Sequence, residues 1–197
     1  MFGPSRLAIA VFPLLLGACT QLPTTIARDN HATTPESAPM AMAQAPITPE
    51  HLSELRQAGI PIVLPRTPPA GFQVDGVQVE QKDYGSGYLV TYRQTSGSVC
   101  FDVEATNMGG FGGPLPEQIQ SIDPPPIAQS SEDEYFLHWT ETGEGDGPFP
   151  EPTLFSDWIE GRDGVYYRLS SRQHTQNCDL LKPETAIEIL SSLAYLD

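Results

Sequence analysis

The sequence has little positive charge. Its 197 residues include ten Lys and Arg against 25 Asp and Glu, which gives a formal net charge of −15. No Lys or Arg occurs between Arg93 and Arg162. A surface of this sign repels nucleic acid and anionic lipid headgroups, and it attracts basic proteins or divalent cations. We therefore expect no nucleic-acid partner, and the acids serve either solubility or the binding of a basic protein.

Long apolar runs are also lacking. The apolar segment at residues 7–16 is interrupted by Pro13 and is shorter than the ~20 residues that span a bilayer. It follows the positive charge of Arg6 and precedes two small residues, Gly17 and Ala18. This order is typical of a secretory signal, which is removed from the mature protein. Removal of residues 1–18 takes away one basic residue and no acid, so the net charge of −15 becomes −16.

Cysteine is rare, and Cys19 directly follows the signal-like segment. Residues 14–19 read Leu-Leu-Leu-Gly-Ala-Cys, which is the pattern of a bacterial lipoprotein signal with the cysteine as first mature residue. An ordinary signal followed by an incidental cysteine is the alternative. Two or three acyl chains on Cys19 anchor far more strongly than one, at ~0.8 kcal/mol per buried methylene. We expect a membrane-anchored lipoprotein facing an exported compartment, either the periplasm or a lumen.

The remaining cysteines, Cys100 and Cys178, allow one pairing. An exported protein meets an oxidising environment, where two such thiols normally form a disulfide. Two buried free thiols are the alternative. A zinc site is disfavoured because no Cys-x-x-Cys pair is present and His174 is the only nearby imidazole.

Composition divides the mature chain in two. Residues 19–48 hold few large apolar side chains and show no period, which predicts a disordered tether spanning roughly 30 Å behind the lipidated Cys19. Residues 49–197 predict one globular domain. Thr48-Pro49-Glu50 indicates a helix start, and Ala186, Ile187, Leu190, Leu193 and Ala194 form the apolar stripe of a final helix.

Strand patterns fill the region between these helices. Alternating apolar residues, separated by turns at residues 83–86 and 161–164, predict antiparallel hairpins. We therefore predict an α+β fold with an antiparallel sheet of five or six strands, framed by an N-terminal and a C-terminal helix. In the strand at residues 99–105, Cys100 falls on the outward parity, so its disulfide would fasten a segment over that face.

Motifs that carry chemistry are scarce. The glycine-rich segment at residues 109–113 lacks the Lys-Ser/Thr of a phosphate loop. Residues 141–147 resemble a calcium loop, but Thr142 and Thr153 stand where acids are required. Among the histidines, His138 is a candidate for hydrolysis together with nearby acids. We expect no cofactor, no metal and no catalytic residue, with a hydrolase using His138 as a minor alternative.

Aromatic residues are the better candidates for contacts. Phe111 lies at the tip of the glycine-rich segment, where it is suited to a ligand gate or a partner anchor. Trp158 and Tyr166 lie in predicted strands, and the adjacent Tyr166 and Tyr167 must point to opposite faces. Core packing and cross-strand pairing are the alternative role for these rings. We take Phe111, Trp158 and Tyr166 as candidate partner or ligand contacts.

Several segments resemble a family of small exported or lipid-anchored cyanobacterial proteins of unknown function. The resembling pieces are residues 64–65, 69–72, 88–92, 100–101 before the glycine-rich segment, 166–167, Cys178 and 183–196. The resemblance implies a bacterial lipoprotein and supports a Cys100–Cys178 pairing, and it brings no catalytic residues. The acidic segment at residues 141–151 does not belong to the pattern. A more distant likeness, of architecture alone, is to PsbP-type domains.

Three functions follow in order of preference. The first is a non-enzymatic lipoprotein that binds or supports a membrane-associated protein complex. The second is a small-molecule or lipid-binding module of the envelope, which requires an apolar cavity between sheet and helix. The third is the hydrolase that uses His138.

Overall fold

The computed structural model describes residues 47–95, 97–109, 114–116, 118–143, 148–173 and 177–196. The signal segment, Cys19 and the tether up to residue 46 lie outside the described residues. Besides a short 3-10 helix at Arg162–Gly164, two α-helices and ten strands are described. They are α1 (Pro49–Gln57), β1 (Ile62–Pro65), β2 (Phe72–Lys82), β3 (Gly85–Gln94), β4 (Cys100–Thr106), β5 (Gln118–Ile122), β6 (Tyr135–Thr140), β7 (Thr153–Ser156), β8 (Ile159–Glu160), β9 (Tyr166–Arg172), α2 (Pro183–Ser191) and β10 (Leu193–Leu196).

Eight of the strands form one antiparallel sheet. Its order is β2-β3-β4-β9-β7-β6-β5, and β8 pairs with β9 beyond the end of β7. The sheet thus consists of two meanders, β2–β4 and β5–β9, which are joined by the β4–β9 pairing. The sheet-rich architecture with two helices agrees with the sequence, but the predicted count of five or six strands is too low.

The first helix forms as its cap residues predict. The Thr48 hydroxyl accepts a hydrogen bond from the His51 backbone N–H at 3.2 Å, and Pro49 occupies the first turn. Leu55 is fully buried on the sheet side. Gly59 adopts a φ of +67°, a conformation that glycine adopts without strain, and the chain turns there into β1.

The last helix is shorter than its apolar stripe predicts. It ends at Ser191, and Leu193–Leu196 form β10, which pairs antiparallel with β1. Ser191 and Ser192 donate from their hydroxyls to the carbonyls of Glu188 and Ile189, each at 2.8 Å, and so compete for backbone acceptors of the last turn. The assignment of Leu193 and Ala194 to a helix is therefore wrong, because pairing with β1 overrides the local period.

One face of the large sheet, the inner face, packs into the core. Val90, Val103 and Leu169 lie in register on this face and are essentially inaccessible. They form one hydrophobic core with residues of both helices and of β1 and β10. A buried hydroxyl joins the two sheets: Tyr88 Oη accepts from the Val63 N–H at 2.8 Å. The helices and the small sheet therefore cover the inner face, and the opposite face is the outer face.

A disulfide fastens the chain over the outer face at one end of β4. Cys100 and Cys178 are bonded, as the sequence indicated, and lie 78 positions apart. Ser171 Oγ strengthens this junction because it donates to the Cys100 carbonyl at 2.8 Å and accepts from the Leu181 N–H at 3.1 Å. Cys178 and Leu181, which precede α2, are therefore bound to the sheet by covalent and polar contacts.

Candidate functional site

The outer face of the sheet carries the polar side chains. Strand alternation gives β4 and β9 an apolar inner row and a polar outer row. In the outer row, Asp102 lies opposite Ser170 and Glu104 lies opposite Arg168. The outer face is therefore the place where this fold presents chemical groups.

An ion pair lies at the centre of this face. Arg168 Nη2 donates to Glu104 Oε2 at 2.6 Å, and Ser170 Oγ donates to Glu104 Oε1 at 2.9 Å. The side chains of Arg168 and Glu104 are 19% and 20% exposed. Because both are tied to adjacent strands and largely shielded, the pair is held in one geometry rather than left free in solvent.

Two aromatic rings flank the Arg168 guanidinium. Its central carbon lies 4.3 Å from the centre of the Trp158 ring and 5.8 Å from that of Phe155. Trp158 occupies the break between β7 and β8, which brings its ring beside β9. Trp158 Nε1 and Arg168 Nε are buried and form no hydrogen bond with the described residues. This leaves two donors without acceptors in one cluster, an uncommon arrangement in a folded protein.

A surface groove of about 620 Å³ opens beside this cluster. Its apolar walls come from Leu89, Met108 and Trp158, and its polar walls from Glu104, Thr106 and Arg168. Gly87 belongs to the same groove, where an added Cβ would lie 2.7 Å from the Ala105 carbonyl oxygen. The close approach of β3 to β4 at this point therefore requires glycine.

His138 lies under a second aromatic cluster on the outer face. Its Nε2 lies 2.9 Å from Asp157 Oδ1, and its ring centre lies 5.5 Å from that of Phe155. The ring of Phe149 packs over that of Phe155, with 6.2 Å between the ring centres, and Phe149 is itself buried. His138 is 1% exposed, and its Nδ1 has no partner among the described residues. A histidine so enclosed is not placed to meet a substrate, which weighs against the hydrolase alternative.

The structure places the residues that the sequence suggested as contacts in different environments. Trp158 lines the groove, and Tyr166 lies on the outer face of β9 two residues before Arg168, opposite Thr106. Tyr167 is buried in the core, so the two tyrosines point to opposite faces as predicted. Phe111 and Cys19 lie outside the described residues. Asp157, an acid close to His138, lies within hydrogen-bond distance of its Nε2.

Sequence reasoning did not find the Glu104–Arg168 pair. The alternation of each strand places Glu104 and Arg168 on its outward-facing side, and this alternation is visible in the sequence. Nothing local indicates that β4 and β9 are neighbours, because the two residues are 64 positions apart. The pair becomes visible once the strand order is known.

Two features are absent from the described part of the chain. Within it, no three His, Cys, Asp or Glu side chains come together as a metal site would require. No helix of that part is both long and apolar enough to cross a bilayer. Residues 144–147 of the calcium-loop-like segment lie outside it.

Comparisons with known proteins add no relative. No protein-family model matches the chain, and no similar curated protein or solved structure is found.

Proposed function

We propose that this chain is a lipid-anchored protein of a bacterial envelope that binds a partner in a membrane-associated complex and catalyses no reaction. The signal-like pattern at residues 1–19 supports the anchor, and the tether at residues 19–48 would hold the domain away from the membrane. The resemblance to small cyanobacterial lipoproteins is consistent with this placement and stays a prediction.

The groove on the outer face is the observation that carries the binding function. Tryptophan, arginine and methionine are enriched at protein interfaces, and here Trp158, Arg168 and Met108 share one groove. Arg168 is already held by Glu104 and Trp158. Side chains fixed in this way lose little entropy when a partner binds. A protein surface that fits between Met108 and Trp158 is the proposed ligand.

Substitution of a groove residue tests the binding site. Met108→Glu places a charge on the apolar wall, and Tyr84→Glu is the matched control, because Tyr84 is 71% exposed at the β2–β3 turn. We expect pull-downs from detergent-solubilised membranes to recover one recurring protein with the native chain and with Tyr84→Glu, and to lose it with Met108→Glu. Recovery that is equal for all three, or no recovery above background, contradicts the proposal.

The anchor is tested separately by Cys19→Ser. We expect the native chain to sediment with membranes and Cys19→Ser to move into the soluble exported fraction, because the acyl chains supply the membrane affinity. Metabolic labelling with a fatty acid should mark the native chain and not the variant. A variant that still sediments with membranes contradicts lipid anchoring.

A small-molecule or lipid-binding module is the second candidate. The groove volume of about 620 Å³ falls within the roughly 300–1,000 Å³ of ligand sites. The groove lies on the outer face, however, and not between sheet and helices where this hypothesis places a cavity. Native mass spectrometry separates the candidates: a small molecule that co-purifies with the native chain and is lost in Met108→Glu favours the second.

A further inference from the structure

The strand β5 forms an open edge of the large sheet. Gln118–Ile122 pair with β6 on one side, and no other described segment bonds to the β5 backbone. Gln118, Ile119, Gln120 and Ser121 are all exposed, and the Ile119 side chain is 52% exposed. The strand contains no proline, lysine or other charge, which are the residues that commonly protect sheet edges.

The direction of each β5 backbone group follows from its neighbour β6. Phe136 uses both of its backbone groups away from β5: its N–H donates to Asp157 Oδ2 and its carbonyl accepts from the Asp157 N–H, both at 2.9 Å. In an antiparallel pair hydrogen-bonded and non-hydrogen-bonded positions alternate. Ser121, opposite Phe136, and Ile119, two residues before it, therefore direct their N–H and C=O groups to the open edge.

The opposite edge of the sheet is different. There β2 packs against α1, and the Gln81 side chain donates to the Gln57 carbonyl at the end of that helix. The described residues provide no such cover for β5. An incoming strand therefore meets, at β5, donors and acceptors that no other described segment pairs.

The negative charge around β5 indicates which kind of segment could pair with this edge. Five exposed acids belong to the segments that adjoin β5 and β6: Asp123, Glu132, Asp133, Glu134 and Glu141. No Lys or Arg occurs from residue 94 to residue 161. The pKa of Tyr135, the first residue of β6, is raised mainly by burial and further by the negative charges of Asp133 and Glu160. A second copy of the chain would bring two such acidic edges together, which is unfavourable.

We propose that β5 is a docking edge to which a positively charged, extended segment of a partner protein adds as a further strand. The backbone groups of Ile119 and Ser121 would provide the hydrogen bonds, and the surrounding acids would favour lysine or arginine in the added strand. The inference rests on the proposed binding of a protein partner and adds to the groove a second contact site, for which it specifies the chemistry and the mode of binding.

A synthetic strand tests the edge directly. The probe is an end-capped peptide of about eight alternating lysine and valine residues, titrated into the full-length protein in detergent micelles. Its control peptide carries glutamate in place of lysine. We expect the lysine peptide to bind with a salt-dependent affinity, and the glutamate peptide not to bind. Equal binding of both peptides overturns the charge selection.

Two variants distinguish strand pairing through backbone hydrogen bonds from nonspecific electrostatic attraction. Ile119→Pro with Ser121→Pro removes both outward N–H donors without removing a donor to β6, and prolines are tolerated at strand edges. Ile119→Thr with Ser121→Thr is the matched control that keeps these donors. We expect affinity for the lysine peptide to fall about tenfold or more in the proline variant and to change little in the threonine variant. Equal affinities overturn the proposal.

Amide exchange in the unchanged protein provides a readout that does not depend on the variants. We expect saturating lysine peptide to slow exchange at Ile119 and Ser121, and unchanged exchange at both residues overturns the proposal. Concentration-dependent dimerisation that the proline variant abolishes would assign the edge to a second copy, which also overturns it. Failure of the Met108→Glu pull-down leaves these peptide results unaffected, so the groove and the edge are tested independently.

Discussion

The guanidinium of Arg168 lies over the indole ring of Trp158, 4.3 Å from its centre, while it donates to Glu104 on the neighbouring strand. The ring, the cation and the carboxylate thus form one unit across β4, β9 and the break between β7 and β8. This unit fixes one wall of the groove before any ligand arrives. Its stability should therefore depend on an aromatic face at position 158.

The first prediction concerns that face. Trp158→Ala should lower the free energy of unfolding by about 2 kcal/mol, because the stacking partner of Arg168 and its packing are lost. Trp158→Phe should cost under ~1 kcal/mol, because it keeps a ring face and removes an Nε1 donor that has no acceptor among the described residues. Urea unfolding followed by circular dichroism measures both values. Equal losses for the two variants would show that the aromatic face contributes nothing.

The second prediction concerns the contact between the two sheets. Tyr88→Phe removes the acceptor of the buried Val63 N–H, which should lower the free energy of unfolding by about 1–3 kcal/mol. Tyr92→Phe is the matched control, since its ring is equally buried and its hydroxyl makes no hydrogen bond to the described residues. Chemical unfolding of both variants should show a loss confined to Tyr88→Phe. A similar loss in Tyr92→Phe would mean that the Val63 bond is not the cause.

The third prediction concerns alkaline pH. Burial raises the pKa of Tyr88 and of Tyr92 well above the usual value. Both tyrosines stay protonated in the folded chain, whereas in the unfolded chain they ionise near pH 10. The stability that these buried tyrosines contribute is therefore fully present below about pH 10. Above that pH, each tyrosine lowers the free energy of unfolding by about 1.4 kcal/mol per pH unit until the pH reaches its folded pKa.

Unfolding in urea at a series of pH values, together with tyrosinate absorbance, measures this loss. Tyr88 and Tyr92 should ionise only on unfolding. Stability that does not fall above about pH 10 would contradict the assignment.

How far the sequence predicts this fold depends on whether the signal is local. The cap at Thr48 and the turns at residues 83–86 and 161–164 are set by neighbouring residues, and all three lie where the pattern places them. β5 was missed because residues 118–121 are exposed on both faces, so no alternation of polar and apolar residues marks them. β10 was missed because its apolar residues continue the helical period of α2, and only pairing with β1 makes them a strand.

The candidate site shows the same limit. Trp158 and Tyr166 were named as candidates because aromatic residues stand out in the sequence, and of the two Trp158 lines the groove. Glu104 and Arg168 were not, since their meeting depends on the pairing of β4 with β9 across 64 positions. Local pattern predicts which face a side chain takes, and strand order decides its neighbours.

The fourth prediction concerns the disulfide. Reduction, or Cys100→Ala with Cys178→Ala, should lower the free energy of unfolding by about 4 kcal/mol, because the bond closes a long loop that is otherwise unrestrained in the unfolded chain. Urea unfolding with and without reductant measures the loss. The double variant serves as the control for reductant, since its stability should not respond to it. An unchanged midpoint on reduction of the native chain would contradict the prediction.

The fifth prediction concerns His138 and Asp157. Asp157 accepts from the Phe136 N–H and lies 2.9 Å from His138 Nε2, so it serves a partly buried N–H and a buried imidazole at once. Asp157→Ala should therefore cost about 2–4 kcal/mol, because both groups lose their partner. His138→Phe should cost far less, since the ring fits among Phe136 and Phe155 and removes the unpaired Nδ1.

A double-mutant cycle of these two variants isolates their interaction. If His138 is structural, the cost of Asp157→Ala should fall by about 1 kcal/mol in the His138→Phe background, since only the Phe136 N–H then loses its partner. Partner capture should be unchanged in His138→Phe, because the imidazole is 1% exposed and cannot contact a partner. A folded His138→Phe variant that captures no partner would instead place His138 in the binding function, and the aromatic cluster would have to open to expose it.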